Sequence, residues 1–276
     1  MIAITFALPA ESSDFVRLLE NPTLNSREGV ENIRGRLHDK LVTVIHTGVG
    51  KMVCRERLQV MLRRERFEYL ISSGFAGALE KDLRVGNLLV AENYSNPKLL
   101  ESPELSLTDS RTFLGRLATV PRMIESIQQR EMLNKRTGAA AVDMETETIA
   151  ELCAAAELPM LSLRAISDGV EEPFPAPANV LFDLTKQKTD FARLGSYLLT
   201  HPAAILRLNA FRKRIEVARK VLADTLERIL RADLLRELRL SSEPAPAAPD
   251  PTTAAAPSME KVESPELDAG PLAGAT

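Results

Sequence analysis

The chain contains little cysteine and little net charge, and each shortage excludes a class of protein. Only two cysteines occur in 276 residues, Cys54 and Cys153. Neither has the spacing of a metal ligand, so we expect buried, reduced thiols and no disulfide framework. The formal net charge of -3 gives no sign of nucleic-acid binding. The first apolar run is too short for a membrane span and no charged segment precedes it, which predicts a cytoplasmic protein.

Apolar runs alternate with amphipathic segments along the first 200 residues. Strands are predicted at residues 2–8, 41–46, 69–73, 87–92 and 160–166. Helices are predicted to begin within residues 10–20 and to span 51–66, 144–157 and 181–199. This alternation is typical of an α/β protein with a mostly parallel sheet between helices.

The composition changes after Pro202, which suggests three parts: residues 1–200, 203–240 and 241–276. The second part is one Arg/Leu-rich amphipathic pattern whose cations cluster between Arg207 and Lys220. Such a helix can lie on a membrane surface or bind a partner, and the alternative is packing on its own domain or on another subunit. The third part is Pro/Ala/Glu-rich and almost free of large apolar groups, so we predict a disordered tail.

Three carboxylates lie where a parallel sheet commonly binds ligands. Glu11 follows the first predicted strand, Glu145 begins a helix, and Asp168 ends the strand at 160–166. Glu11 has the position of a general base for water, and Glu145 that of an acceptor for two adjacent sugar hydroxyls. Each has a structural alternative as a helix-start acid or a turn cap. Arg164 lies inside a strand and must be paired, so Glu145 is its expected partner.

Two glycine pairs follow predicted strands. Gly48 and Gly50 permit close backbone approach to a ligand but lack the full dinucleotide or phosphate-loop signature. The segment Gly74-Phe-Ala-Gly77 suggests backbone N–H groups that hold an anion or a water, or else a plain turn.

These segments, in this order, resemble the purine nucleoside phosphorylase/nucleosidase family, most closely its methylthioadenosine/S-adenosylhomocysteine nucleosidase branch. The likeness covers residues 1–199, and its most specific parts are Val142-Asp-Met-Glu145 and Arg164-Ala-Ile-Ser-Asp168. Ala7-Leu-Pro-Ala-Glu11, Thr47-Gly-Val-Gly-Lys51 and Ser73-Gly-Phe-Ala-Gly77 support it. The resemblance implies a three-layer α/β/α sandwich with a mixed, mostly parallel sheet, followed here by the C-terminal amphipathic helix. It also implies a homo-oligomer, with a dimer favoured.

The resemblance implies a nucleoside substrate and assigns a role to each carboxylate. Asp168 matches the acid at purine N7, which must be neutral when it donates its proton. Glu11 matches the residue that activates water, and Glu145 the one that binds the ribose hydroxyls, with Met144 beneath the sugar. Other positions that match substrate contacts are Val49, Phe75, Ala76, Gly77, Met123, Ile124, Asp143, Arg164 and Ser167. No metal or organic cofactor is implied.

Details of the sequence bear on the substrate and the reaction. An aspartate at position 168 favours a 6-amino purine, and the absence of an arginine just before Gly74 favours hydrolysis over phosphorolysis. A phosphorylase therefore remains an alternative. So does a weakened nucleoside-binding protein, because Phe75 replaces a small polar residue and the segment between residues 92 and 141 is short. Leu8, Val49, Phe174 and Phe182 are expected walls for an apolar 5′-group, and the hopanoid-associated branch suggests a lipidic one.

Overall fold

A computed structural model describes residues 1–101, 111–171, 176–183, 187 and 191–232. Within these residues ten strands form one mixed sheet in the order β2-β3-β4-β1-β5-β10-β6-β7, with β9 pairing β5 and β8. The strands are β1 (Ile2–Phe6), β2 (Glu20–Arg27), β3 (Val30–Leu37), β4 (Lys40–His46), β5 (Leu70–Ala78), β6 (Leu88–Ala91), β7 (Thr112–Gly115), β8 (Leu117–Thr119), β9 (Ala141–Asp143) and β10 (Met160–Asp168). The expected tail at 241–276 and Phe174 lie outside the described residues.

The sheet lies between two layers of helices. These are α1 (Pro9–Val16), α2 (Lys51–Arg64), α3 (Pro97–Leu100), α4 (Ile127–Thr137), α5 (Thr146–Ala155), α6 (Ala178–Leu181), α7 (Phe191–Thr200) and α8 (Ala203–Arg231). Alternate residues of β1 show the layering: Ile2, Ile4 and Phe6 join the core with α1 and α8, whereas Ala3 joins the core with α2 and α5. The predicted three-layer α/β/α sandwich is therefore confirmed.

The central strands of the sheet run parallel to one another, whereas the strands at the β2 edge run antiparallel. Strand β1 runs parallel to β4 and β5, and β5 runs parallel to β10. The antiparallel strands β2 and β3, which the sequence did not predict, extend the sheet beyond β4. Strand β2 is almost wholly exposed, so its sequence shows no apolar alternation. The parallel centre brings the carboxyl ends of β1, β4, β5 and β10 to one edge.

Helix α8 is divided between the core and the surface. Ala218, Leu222, Leu226 and Ile229 are at most 1% exposed and pack on the sheet beside α1. This half matches the alternative in which the helix packs on its own domain. The beginning of the helix differs, since Leu206 is 77% exposed.

Two further observations concern composition. Cys54 and Cys153 are buried and unpaired, as expected, and burial raises the pKa of each thiol to about 12. In the part of the chain that the structure describes, no helix has both the length and the apolar character needed to cross a membrane.

Candidate active site

Glu11 lies in the first turn of α1 and reaches back over the end of β1. Its Oε2 accepts hydrogen bonds from the backbone N–H groups of Ala7 at 2.8 Å and Leu8 at 3.1 Å. Burial raises the pKa of this carboxyl, although those N–H groups and the nearby Arg164 act in the opposite direction. Desolvation outweighs these opposing contributions. Glu11 is thus a fixed carboxyl with an increased affinity for a proton, as a general base requires.

Arg164 does not hydrogen-bond with Glu145, and this corrects the expected pairing. Its Nε donates to Asp143 Oδ2 at 3.0 Å, and its Nη atoms donate to the Ser72 carbonyl at 2.7 Å, the Ser72 hydroxyl at 2.9 Å and Thr146. Asp143 ends β9 and also accepts from the Thr146 N–H at 3.1 Å. Asp143 ends β9, which belongs to the same sheet as β10, and it faces the guanidinium of Arg164. Glu145 instead turns towards the loop after β4.

Glu145 accepts a hydrogen bond from the Gly50 N–H at 2.8 Å. Gly48 and Gly50 have φ values of 78° and 91°, so the loop after β4 has a backbone that glycine adopts without strain. Burial, followed by the nearby Asp143 charge, raises the pKa of Glu145 to about 8. This carboxyl can therefore be neutral near pH 7. It retains acceptor capacity for a ligand hydroxyl.

Gly74 and Gly77 lie within β5, where a turn or a backbone nest was expected. Gly74 is in register with Arg164 on β10, and Gly77 is in register with Asp168. A β carbon on Gly77 would lie 2.8 Å from Asp168 Oδ2, and one on Gly74 would lie 3.7 Å from Glu11 Oε2. The two glycines therefore leave room for the charged side chains of the site.

Asp168 is paired with a residue that sequence reasoning missed. Arg130, on α4, donates to Asp168 Oδ2, and each side chain is only 2% exposed. The other carboxylate oxygen accepts from the Ser167 hydroxyl at 2.7 Å. Nothing in the sequence separates Arg130 from the exposed Lys135 and Arg136 of the same helix. Both oxygens of the expected acid are therefore held by buried neighbours.

A small cavity of about 50 Å³ adjoins this pair. Six of the predicted site residues line it: Gly77, Met123, Ile124, Asp143, Met144 and Asp168. Val120, Arg122, Arg130 and Val142 complete the lining. Ligand pockets are usually several hundred Å³, so a purine requires the flexible methionines to move.

The other predicted residues lie around these groups. The Val49 N–H and C=O are bonded to the side-chain amide of Gln187 at 2.7 and 3.0 Å. Phe75 is half-buried, and its backbone N–H lowers the pKa of the Glu11 carboxyl. Ala76 is buried in a core cluster, and the Ser167 hydroxyl contacts Asp168. Among the described residues, no cluster of histidine, cysteine or acidic side chains could hold a metal ion.

The fold and the site define an α/β protein with buried carboxylates beside the ends of its central parallel strands. A family model described as the phosphorylase superfamily matches residues 1–104 and 98–200. The chain belongs to this superfamily.

Relatives and solved structures agree with this assignment. The chain is 26% identical over 195 residues to a 5′-methylthioadenosine/S-adenosylhomocysteine nucleosidase of Buchnera aphidicola, covering 60% of this chain and 77% of that protein. It is similar in structure to the nucleosidase of S. pneumoniae, with a TM-score of 0.63, 21% identity, and 84% and 98% of the two chains covered. It also resembles futalosine hydrolase of Helicobacter pylori, with a TM-score of 0.60, 20% identity, and 83% and 97% covered.

Proposed function

We propose that this protein hydrolyses the N-glycosidic bond of a 5′-modified adenosine and releases adenine. The observation that carries the proposal is the meeting of Glu11, Glu145 and the Asp168 pair at one edge of the sheet. The curated relatives named as methylthioadenosine/S-adenosylhomocysteine nucleosidases support the same reaction class.

Each of these groups has its own role in the reaction. Breaking the bond leaves an oxocarbenium-like sugar and negative charge on the purine. Glu11 accepts the proton of the attacking water, because its carboxyl is held by backbone N–H groups and has a raised pKa. Glu145 accepts hydrogen bonds from the sugar hydroxyls, with Met144 against the sugar. Asp168 donates a proton to N7 of the base, so that adenine leaves as a neutral molecule while the water oxygen bonds to the sugar carbon.

Water is favoured over phosphate as the second substrate. A phosphorylase needs cationic side chains for its phosphate, and position 73 before the Gly74 segment is a serine. Arg164 is close enough to Glu11 for its charge to lower the pKa of that carboxyl, and its donors already bind Asp143, the backbone and two hydroxyls. A guanidinium with these partners has little capacity left to bind an oxyanion.

The test is adenine release from methylthioadenosine, S-adenosylhomocysteine, 5′-deoxyadenosine and adenosine, each with and without phosphate. Release of adenine and free sugar in phosphate-free buffer is the expected result. Strict dependence on phosphate would identify a phosphorylase instead. Tight binding of adenosine analogues with no turnover would identify a nucleoside-binding protein. Glu11→Gln is the inactive variant, and Glu20→Gln, on the exposed strand β2, is its matched control.

We also propose a homodimer that contacts a membrane surface through α7 and the beginning of α8. Leu199 is 87% exposed, Leu206 is 77% exposed and Ile205 is 53% exposed. Residues 191–214 contain no acidic side chain, while the cations Arg193, Arg207, Arg212, Lys213 and Arg214 lie among them. Exposed leucines flanked by cations suit an anionic lipid surface.

Vesicle flotation tests the membrane contact. The full chain should float with vesicles of phosphatidylglycerol and phosphatidylcholine and should remain in the soluble fraction with phosphatidylcholine alone. Leu206→Asp should abolish flotation, whereas Leu24→Asp, at a position that is 69% exposed on β2, should not. Equal recovery of wild type and Leu206→Asp would disprove the contact. Analytical ultracentrifugation of the same samples determines whether the chain is a dimer.

A further inference from the structure

Ser12 and His46 form a hydrogen-bonded pair beside Glu11, and neither has a role in the proposed reaction. Ser12 directly follows Glu11 in α1 and is 1% exposed. Its Oγ lies 2.8 Å from Nε2 of His46, the last residue of β4. The same hydroxyl donates to the Pro9 carbonyl at 3.2 Å. The pair therefore joins the first turn of α1 to the end of β4.

The direction of the hydrogen bond follows from the protons available. A serine hydroxyl has one proton, and Ser12 uses it for the Pro9 carbonyl. Burial, followed by the nearby charge of Arg57, lowers the pKa of His46 to about 4, so the imidazole is neutral near pH 7 and carries one N–H. Both hydrogen bonds exist together only if this proton is on Nε2. His46 therefore donates to Ser12, and Ser12 donates to Pro9.

The end of β4 is also connected to the backbone that holds the Glu11 carboxyl. His46 is in register with Phe6 of β1, and the next residue, Ala7, donates its N–H to Glu11. The Ala7 carbonyl in turn accepts from the Gly48 N–H at 2.9 Å. The ends of β1 and β4 are thus bonded to each other, and Ser12 attaches α1 to this same unit.

Helix α1 has eight residues, and a helix of this length depends on tertiary contacts for its position. We propose that Ser12 and His46 are positioning residues, which hold α1 so that the Glu11 carboxyl meets the attacking water. The inference rests on the proposed function and deepens it by naming the residues that orient the general base. They act through Glu11 and contact neither the water nor the sugar. A displacement of about 1 Å can lower a rate about 10²-fold, so loss of this hydrogen bond should be measurable.

A double-mutant cycle with Glu11 tests the pair. Steady-state adenine release is measured for full-length wild type, Ser12→Ala, Glu11→Gln and the double variant, with the nucleoside that wild type hydrolyses fastest. Ser12→Ala should lower kcat roughly 10–100-fold with little change in KM, because the base is displaced while the other substrate contacts stay in place. In the Glu11→Gln background the same substitution should not lower the residual kcat further, since no base is left to orient. A merely structural Ser12 would lower kcat by the same factor in both backgrounds.

Three further variants support the cycle. Ser13→Ala makes the same change at the next residue, whose hydroxyl donates to the Ala10 carbonyl of its own helix, and it should keep the wild-type kcat. His46→Phe fills the space of the ring without a donor and should lower kcat as Ser12→Ala does. His46→Gln retains a side-chain N–H for Ser12 and should keep more activity than His46→Phe. The two His46 variants replace Ser12→Ala in the cycle if that variant does not fold.

The possible outcomes separate the inference from the hydrolase proposal. A wild-type kcat in folded Ser12→Ala and His46→Phe, or an equal loss in both Glu11 backgrounds, would overturn the inference and leave the hydrolase proposal intact. Failure of wild type to release adenine from any of the four nucleosides would overturn the hydrolase proposal and the inference with it.

Discussion

Asp168→Asn should be costly to stability as well as to activity, because it leaves a buried cation without its counter-charge. Asp168 and Arg130 are each 2% exposed, so solvent cannot replace the lost charge. Removing one partner of a buried ion pair costs about 3–5 kcal/mol. Asparagine keeps one oxygen that can accept from Arg130, so we expect the lower end, about 3 kcal/mol. For a domain of this size, that corresponds to a decrease in melting temperature of roughly 6–12 °C.

Urea unfolding of four proteins tests this magnitude. Asp168→Asn is compared with wild type, with Glu28→Gln and with the double variant Asp168→Asn/Arg130→Gln. Glu28 pairs with Arg64 at the surface, where both side chains are about half exposed, so its loss should cost only about 0–1 kcal/mol. The double variant replaces the ion pair with two neutral amides and should recover part of the loss. If Asp168→Asn lowers the free energy of unfolding no more than Glu28→Gln does, the buried ion pair does not stabilise the fold by the expected amount.

Four further outcomes are expected. Glu11→Gln should decrease adenine release roughly 10²–10⁴-fold with an unchanged melting temperature. Since burial raises the pKa of Glu11 above 4.5, the wild-type rate should increase with pH as this carboxyl ionises, and a rate independent of pH would contradict its role as the base. The folded-state pKa of Glu145 is raised to about 8, so its contribution to stability is present below pH 4.5 and is lost as the pH rises towards 8. Glu145→Gln should therefore gain free energy of unfolding relative to wild type over this interval, which urea titrations at several pH values would measure. Gly77→Ala should lose activity and about 1–3 kcal/mol of stability by displacing Asp168 and Arg130, and wild-type adenine binding in this variant would argue against that close approach.

The pattern of apolar residues in the sequence predicted the strands and helices whose side chains are buried in a regular way. Strands β1 and β10 are buried along their whole length, and their apolar runs are visible in the sequence. The exposed strand β2 was missed because its side chains contact solvent and show no periodicity. Helix α8 was found from its amphipathic pattern. The pattern alone could not distinguish packing on the sheet from packing on a membrane, since both bury the same apolar face.

The sequence by itself determined the α/β architecture and the position of Glu11 and Asp168 at the carboxyl edge of the sheet, because strand ends in a parallel sheet meet there. Glu145 follows β9, which runs antiparallel to β5, so only the fold places it against the loop after β4. Only the tertiary structure decided the partners of the buried charges. Arg164 pairs with Asp143 because their strands belong to one sheet, and Arg130 reaches Asp168 from a helix almost forty residues earlier in the chain. Such pairings depend on distances in the folded molecule, and residue spacing along the chain does not encode them.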